Sequence, residues 1–151
     1  MADFARQAIV DQVVLVLESI NALIGYNTQP FVTQDPREIV GREEEFMLLV
    51  MPSNETVVEV GIGGCHEMEL EIDIYGYCQT KEENPVTRLN MLLQDVRNVL
   101  HQGAATISDV TERGLAFRFG DLLTDEGMLA QSSAAGFIQT AHFVYKNGST
   151  W

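Results

Sequence analysis

The chain has 151 residues and a mass of 16.8 kDa, the size of one ordinary domain spanning 1–151, able to bury roughly two-thirds of its unfolded surface. Nine Lys and Arg stand against 22 Asp and Glu, and the resulting formal charge of −13 argues against a grip on nucleic-acid phosphates. With 46% hydrophobic and 21% charged residues the composition is globular rather than disordered, and no apolar run approaches the roughly 18–20 residues that cross a bilayer.

The opening MADFARQ lacks a basic segment followed by an apolar core, so no secretory signal is expected. Two cysteines, Cys65 and Cys78, are too few for a disulfide framework and suit synthesis in a reducing compartment. Apolar residues then recur at Ile9, Val10, Val13, Val14, Leu17, Ile20, Leu23 and Ile24, which predicts one amphipathic helix. Leu15 and Val16 widen its stripe, Asp3 is placed to cap its start and Gly25 to end it. Between Tyr26 and Glu45 the period dissolves, with Pro30, Pro36 and Gly41 as punctuation and Asp35-Pro36 favouring a turn. That stretch reads as a long connection, extended in part, with Glu43, Glu44 and Glu45 as a solvated run.

Phe46 to Met51 is a short continuous apolar run, the pattern of a strand buried on both faces, closed by Pro52-Ser53-Asn54. Thr56 to Ile62 reads as a second strand ending at Gly63-Gly64. From Glu67 to Cys78 the alternation is strict: Met68, Leu70, Ile72, Ile74, Gly76 and Cys78 on one face, Glu67, Glu69, Glu71, Asp73, Tyr75 and Tyr77 on the other. Asn84-Pro85 starts a second helix, which is expected to run to about Gln102 with Val86, Leu89, Leu93, Val96 and Leu100 inward, His101 at its negative end and Gly103 as its stop. Ile107–Thr111 is a weak strand candidate, Leu115–Phe119 a better one, and Asp121–Ser133 a loop or short helical turn. A last strand, Phe137–Lys146, sets Phe137, Gln139, Ala141, Phe143 and Tyr145 against Ile138, Thr140, His142, Val144 and Lys146. The tail Asn147–Trp151 is expected to fray unless a partner holds it, and Trp151 is then either a loose end or an anchor. Strand runs separated by single helices predict an α+β fold: a mostly antiparallel sheet with two helices packed on one face.

No motif carries chemistry strongly. Val60-Gly61-Ile62-Gly63-Gly64 resembles a dinucleotide loop, but the third glycine position holds His66 and a strand follows where a helix is needed, so a hairpin turn is the better reading. Cys65, His66 and Cys78 lack a short metal-ligand spacing, and His101 and His142 fall in unrelated elements. There is no nucleophile elbow, Cys–His pair or phosphate loop, and nothing singles out a catalytic carboxylate pair. No enzyme, cofactor or metal site is therefore expected. The ladder Glu67, Glu69, Glu71, Asp73 stands apart, because alternate strand residues lie about 6.6–6.8 Å apart and like charges on one side cost stability. It is either a solvent face or a surface that repels polyanions or meets a basic partner.

In element order the chain resembles the tail terminator family of long-tailed bacteriophages, the tail completion or tail-to-head joining proteins. Three segments carry the resemblance: the first helix, Ile9–Ile24; the strand Met68–Tyr77 leading into the helix Pro85–Gln102 with its Leu89, Leu93, Val96 and Leu100; and the small strand pair ending in Phe137–Tyr145, closed by Phe143-Val144-Tyr145. Neighbouring phage neck and head–tail connector proteins share much of the pattern. The resemblance implies an α+β fold, a homohexameric ring that caps the tail tube and meets the head connector, no catalytic residues, and double-stranded DNA passing through the bore without specific binding. Such a protein is made in the host cytoplasm and resides in the tail or neck of the virion. Tyr26–Glu45 and Asp121–Ser133 are then candidate contacts. An alternative from another class is a small acidic adaptor or chaperone that binds a basic protein; a carboxylate hydrolase is a third.

Overall fold

The computed structural model describes residues 2–60, 66–111, 116–124 and 134–147. Helix α1 spans Ala2–Glu18 and helix α2 spans Pro85–Thr111. Strands β1 (Phe31–Thr33), β2 (Phe46–Val60), β3 (His66–Gln79), β4 (Ala116–Thr124) and β5 (Ala134–Asn147) form one sheet in the order β1-β2-β3-β5-β4. Every neighbouring pair is antiparallel except β1 with β2. The fold is α+β, with both helices on one face of the sheet. Ile9, Val13 and Leu17 of α1 and Leu92, Val96 and Leu100 of α2 pack with Leu48, Leu70, Ile72, Ile74, Ala141 and Phe143. Among the described residues no helix is long and apolar enough to cross a membrane.

The first helix stops earlier than its apolar period suggests. Ser19 donates to the Val16 carbonyl through both its amide and its hydroxyl, and this local bonding competes with the next helical turn. A separate 3-10 turn, Ala22–Ile24, follows. Ile20 stays buried, whereas Leu23 and Ile24 leave the core and stand in solvent. Gly25, at φ 107°, closes that turn rather than α1. Leu15 is exposed and Val16 buried.

The connection that follows contains more structure than its composition suggests. It holds β1 and a second 3-10 turn, Pro36–Glu38, capped by the Asp35 carboxylate on the Arg37 amide. Glu43 and Glu44 are exposed as expected. Glu45 is not simply solvated: its Oε1 accepts from Arg88 Nε at 2.8 Å, and the Arg88 guanidinium lies over Phe46.

Pro52-Ser53-Asn54 does not end a strand. β2 runs through it, and Ser53 is the extra residue of a bulge between Pro52 and Asn54, with a second irregularity between Val57 and Glu59. β1 covers only Met47–Leu49, so Pro52 sits where no described strand needs its missing N–H. Phe46–Val50 is buried on both faces, as the apolar run implies. β2 and β3 then pair antiparallel from Phe46↔Cys78 to Val60↔His66, the frame of a hairpin whose residues 61–65, Cys65 among them, lie outside the described residues.

Asn84 caps α2, its side chain accepting from the Val86 amide at 2.9 Å. The helix does not stop at Gly103 but runs on to Thr111, so Ile107–Thr111 is helix rather than strand and His101 is an exposed mid-helix residue. Gly103 marks instead the crossing of the two helices, where an added Cβ would lie 2.6 Å from Val16 Cγ1. Val86 is 38% exposed and does not belong to the buried face. β4 continues past Phe119 to Thr124, through an irregularity between Phe119 and Leu122. Leu115, the expected start of that strand, residues 125–133, 148–150 and Trp151 lie outside the described residues.

Candidate interaction surface

The helix-free face of the sheet is built around β3, its central strand. Alternation along β3 buries Leu70, Ile72, Ile74 and Cys78 under the helices and turns Glu67, Glu69, Glu71, Asp73, Tyr75 and Tyr77 to the other side. All four carboxylates of the ladder therefore share one face, and each is half-buried rather than fully solvated.

The strands beside β3 supply what the ladder lacks. In register, Glu71 stands opposite His142 of β5, and His142 stands opposite Arg118 of β4. Arg118 Nη2 donates to Glu69 Oε1 at 2.7 Å. The imidazole of His142 sits between two carboxylates, with Nδ1 3.2 Å from Glu69 Oε1 and Nε2 3.6 Å from Glu71 Oε1, contacts of proximity rather than aligned hydrogen bonds. Thr140 Oγ1 donates to Asp73 Oδ1 at 2.9 Å, and the Ser53 hydroxyl of the β2 bulge reaches Glu71. One cation, one imidazole and two hydroxyls thus stitch a strip that repels itself along β3. An exposed pair such as Arg118–Glu69 contributes about 0.2–1 kcal/mol.

Beyond Asp73 the same face changes character. Tyr75 and Tyr77 stand opposite Leu49 and Met47 of β2, both nearly buried, and opposite Ile138 and Gly136 of β5. Burial, with a smaller contribution from Tyr75, raises the Tyr77 phenol above its ordinary value. The face is therefore acidic at one end and aromatic at the other.

Comparison with known proteins adds a likeness of fold over nearly the whole chain. A chain from the virion of a native gene transfer agent particle matches with a TM-score of 0.51 at 14% identity, over 97% of this chain and 98% of that one. A chain from the sheath/tube terminator of an extracellular contractile injection system, PVC, in its extended state matches with a TM-score of 0.41 at 10% identity, over 92% of this chain and 57% of that one. No protein-family model matches the sequence, and no curated protein matches it. At these identities the likeness is one of fold.

The side chains considered for metal chemistry do not converge. Cys78 faces the helices and His142 the opposite side of the sheet, while His101 is exposed on α2. Burial, helped by Glu45, pushes the Cys78 thiol up to about 11, the reverse of what a thiolate ligand or nucleophile needs. Among the described residues no group of three His, Cys, Asp or Glu side chains could hold a metal ion.

The polar groups buried on the helix side are structural. Gln139 is fully buried, accepts from Arg97 Nε at 3.0 Å and donates to the Gly120 and Asp121 carbonyls left by the irregularity in β4. Tyr145 donates to Glu55 Oε1 at 2.9 Å. Asp95, 1% exposed, accepts from the Asn27 amide, Asn27 Nδ2 and Thr28 Oγ1, tying the connection after α1 to α2.

Sequence alone places the ladder and, through the β5 alternation, His142 and Thr140 on a polar face. It does not place β5 beside β3, and without that pairing the partners of Glu69, Glu71 and Asp73 stay hidden. Arg118, between Phe117 and Phe119, carries the only other signal.

Proposed function

We propose that the chain is a structural protein of a phage-like virion, one that forms a ring on the end of a tail tube and joins it to the head connector. The observation that carries this reading is the end-to-end likeness of fold to a chain of the gene transfer agent virion, 97% of one chain against 98% of the other. The resemblance of the α1, β3–α2 and β5 segments to tail terminators narrows it from virion component to terminator. The reading assigns the chain no catalytic step and no cofactor; its work is assembly, as a homohexamer, with a tube protein on one side and a connector on the other.

In this reading the ladder Glu67, Glu69, Glu71, Asp73 lines the bore. Repeated around a ring, half-buried carboxylates make a wall that turns DNA away, so the genome slides instead of sticking. Arg118 lowers the charge of the ladder, and its bond to Glu69 holds that carboxylate in place. Neutralisation at Glu69→Gln and Glu71→Gln keeps an acceptor for Arg118 at position 69 and one for Ser53 at position 71, whereas lysine there would meet Arg118 and His142 at close range.

The test is mass by light scattering, with and without assembled tail tubes, followed by DNA ejection from particles carrying the glutamine pair. The expected result is a hexamer, or a smaller species that binds tube ends and halts their growth, with slowed ejection for the variant. A monomer indifferent to tubes overturns the terminator reading; rings with unchanged ejection overturn only the bore assignment.

A further inference from the structure

The helical layer carries two features that the acidic face does not use. One is the 3-10 turn Ala22–Ile24, which holds Leu23 at 92% and Ile24 at 73% exposure. This turn is fixed at both ends. Asn21 caps it through its side chain on the Leu23 amide at 2.9 Å, and Gly25 closes it in a left-handed conformation. Just downstream, Asn27 and Thr28 are clamped by the buried carboxylate of Asp95. A buried carboxylate is thus committed to holding a loop whose most prominent groups are aliphatic and in water.

The second feature is a groove between α1 and α2, lined among others by Leu15, Val16, Tyr26, Val99 and Gly103. Leu15 is 57% exposed at its side, and Gly103 keeps the crossing at Val16 close. Among the described residues no side chain lining the groove carries a formal charge, and neither does any residue from Asn21 to Thr28.

Charge selects the occupant. Two copies of a chain at −13 with only nine Lys and Arg repel each other, and few surfaces can be paired charge against charge. A contact between copies is least opposed where both sides are uncharged: the turn offers Leu23 and Ile24, and the groove sets Leu15, Val16 and Val99 among the uncharged polar groups of Gln12, Ser19, Tyr26 and Gln102. A basic partner would instead be drawn to the carboxylates of the open face, and DNA finds no cation here. We propose that Leu23 and Ile24 of one copy insert into the α1–α2 groove of the next copy. Tyr26, just after the turn, borders the groove; inserted one way only, from the turn of one copy into the groove of the next, the contact is head-to-tail and can close into a ring. It names the subunit contact of the ring proposed above and rests on that reading.

The test pairs Leu23→Asp/Ile24→Asp with Leu15→Asp in the full chain. The substituted side chains are exposed, so circular dichroism and melting should stay as in the wild type while association weakens roughly 100-fold, to monomer by light scattering, alone or on tube ends. Each variant keeps one intact half of the contact, so a mixture of the two should give a dimer and stop there. Wild-type and variant rings of equal mass overturn the contact and leave the ring reading standing. A wild-type chain that stays monomeric both alone and on tube ends overturns the ring reading and this contact with it.

Discussion

Cys78 lies on the helix-covered side of β3, 1% exposed, beside the Glu45–Arg88 pair. Burial disfavours its thiolate most, Glu45 adds to that and Arg88 opposes it, and the thiol is raised from an ordinary 9.0 to about 11. The unfolded chain ionises this thiol first. Between those two values the folded chain binds more protons, so stability is full below about pH 9 and falls as pH rises toward about 11. The loss is of the order of 2 kcal/mol. Tyr77, shifted in the same direction, adds to the slope at the upper end. Urea unfolding from pH 8 to 11 should show Cys78→Ala with a shallower alkaline decline than the wild type. Equal slopes would mean that Cys78 does not carry the effect. The same burial predicts that a thiol reagent modifies Cys78 only on unfolding.

At the scale of elements, the contact of α1 with α2 turns on Gly103. An alanine Cβ there would sit 2.6 Å from Cγ1 and 3.0 Å from Cγ2 of Val16, and a β-branched side chain in a helix has nowhere to rotate. Gly103→Ala gains about 1 kcal/mol of helix propensity and loses about 1–3 kcal/mol to overpacking, so a net destabilisation of about 1 kcal/mol is expected. Combining it with Val16→Ala should recover most of the overpacking in a double-mutant cycle by denaturation; additive effects would refute the crossing. Gly103 also shows what the sequence conceals. After a long apolar period a glycine reads as a helix stop, and only the second helix reveals it as a place of close approach. The residues from Phe46 onward teach the same lesson. Pro52-Ser53-Asn54 has the composition of a turn, yet β3 pairs across it and makes it a bulge in one long strand. Where pattern alone decides burial, the sequence is readable: the period of two in β3 and β5 and the Asn84-Pro85 start of α2 are as expected. Where the outcome depends on a partner distant in sequence, it is not: the break after Glu18, the helical end of α2 and the placing of Arg118 and His142 against the ladder all depend on such partners or on local bonding that leaves no periodic trace. Gly76 is a further case, its missing Cβ leaving room for the Phe137 ring across the β3–β5 pair.

For the whole molecule, the excess of carboxylates sets how association responds to salt. Copies at −13 repel over a Debye length, about 30 Å at 0.01 M salt and about 10 Å at 0.1 M. Contact through the neutral turn and groove gains little from charge, so screening removes a cost and takes away no attraction. Self-association should therefore strengthen as salt rises from 0.01 to 0.1 M and level off above that. An adaptor that holds a basic protein on its acidic face has the opposite sign, because screening weakens the attraction that forms the complex. Sedimentation velocity across that salt range separates the two. A rise in assembled mass with salt fits a ring joined through uncharged surfaces. A fall would place the acidic ladder itself in the contact between copies, facing Arg or Lys of a neighbour, and would remove it from the bore.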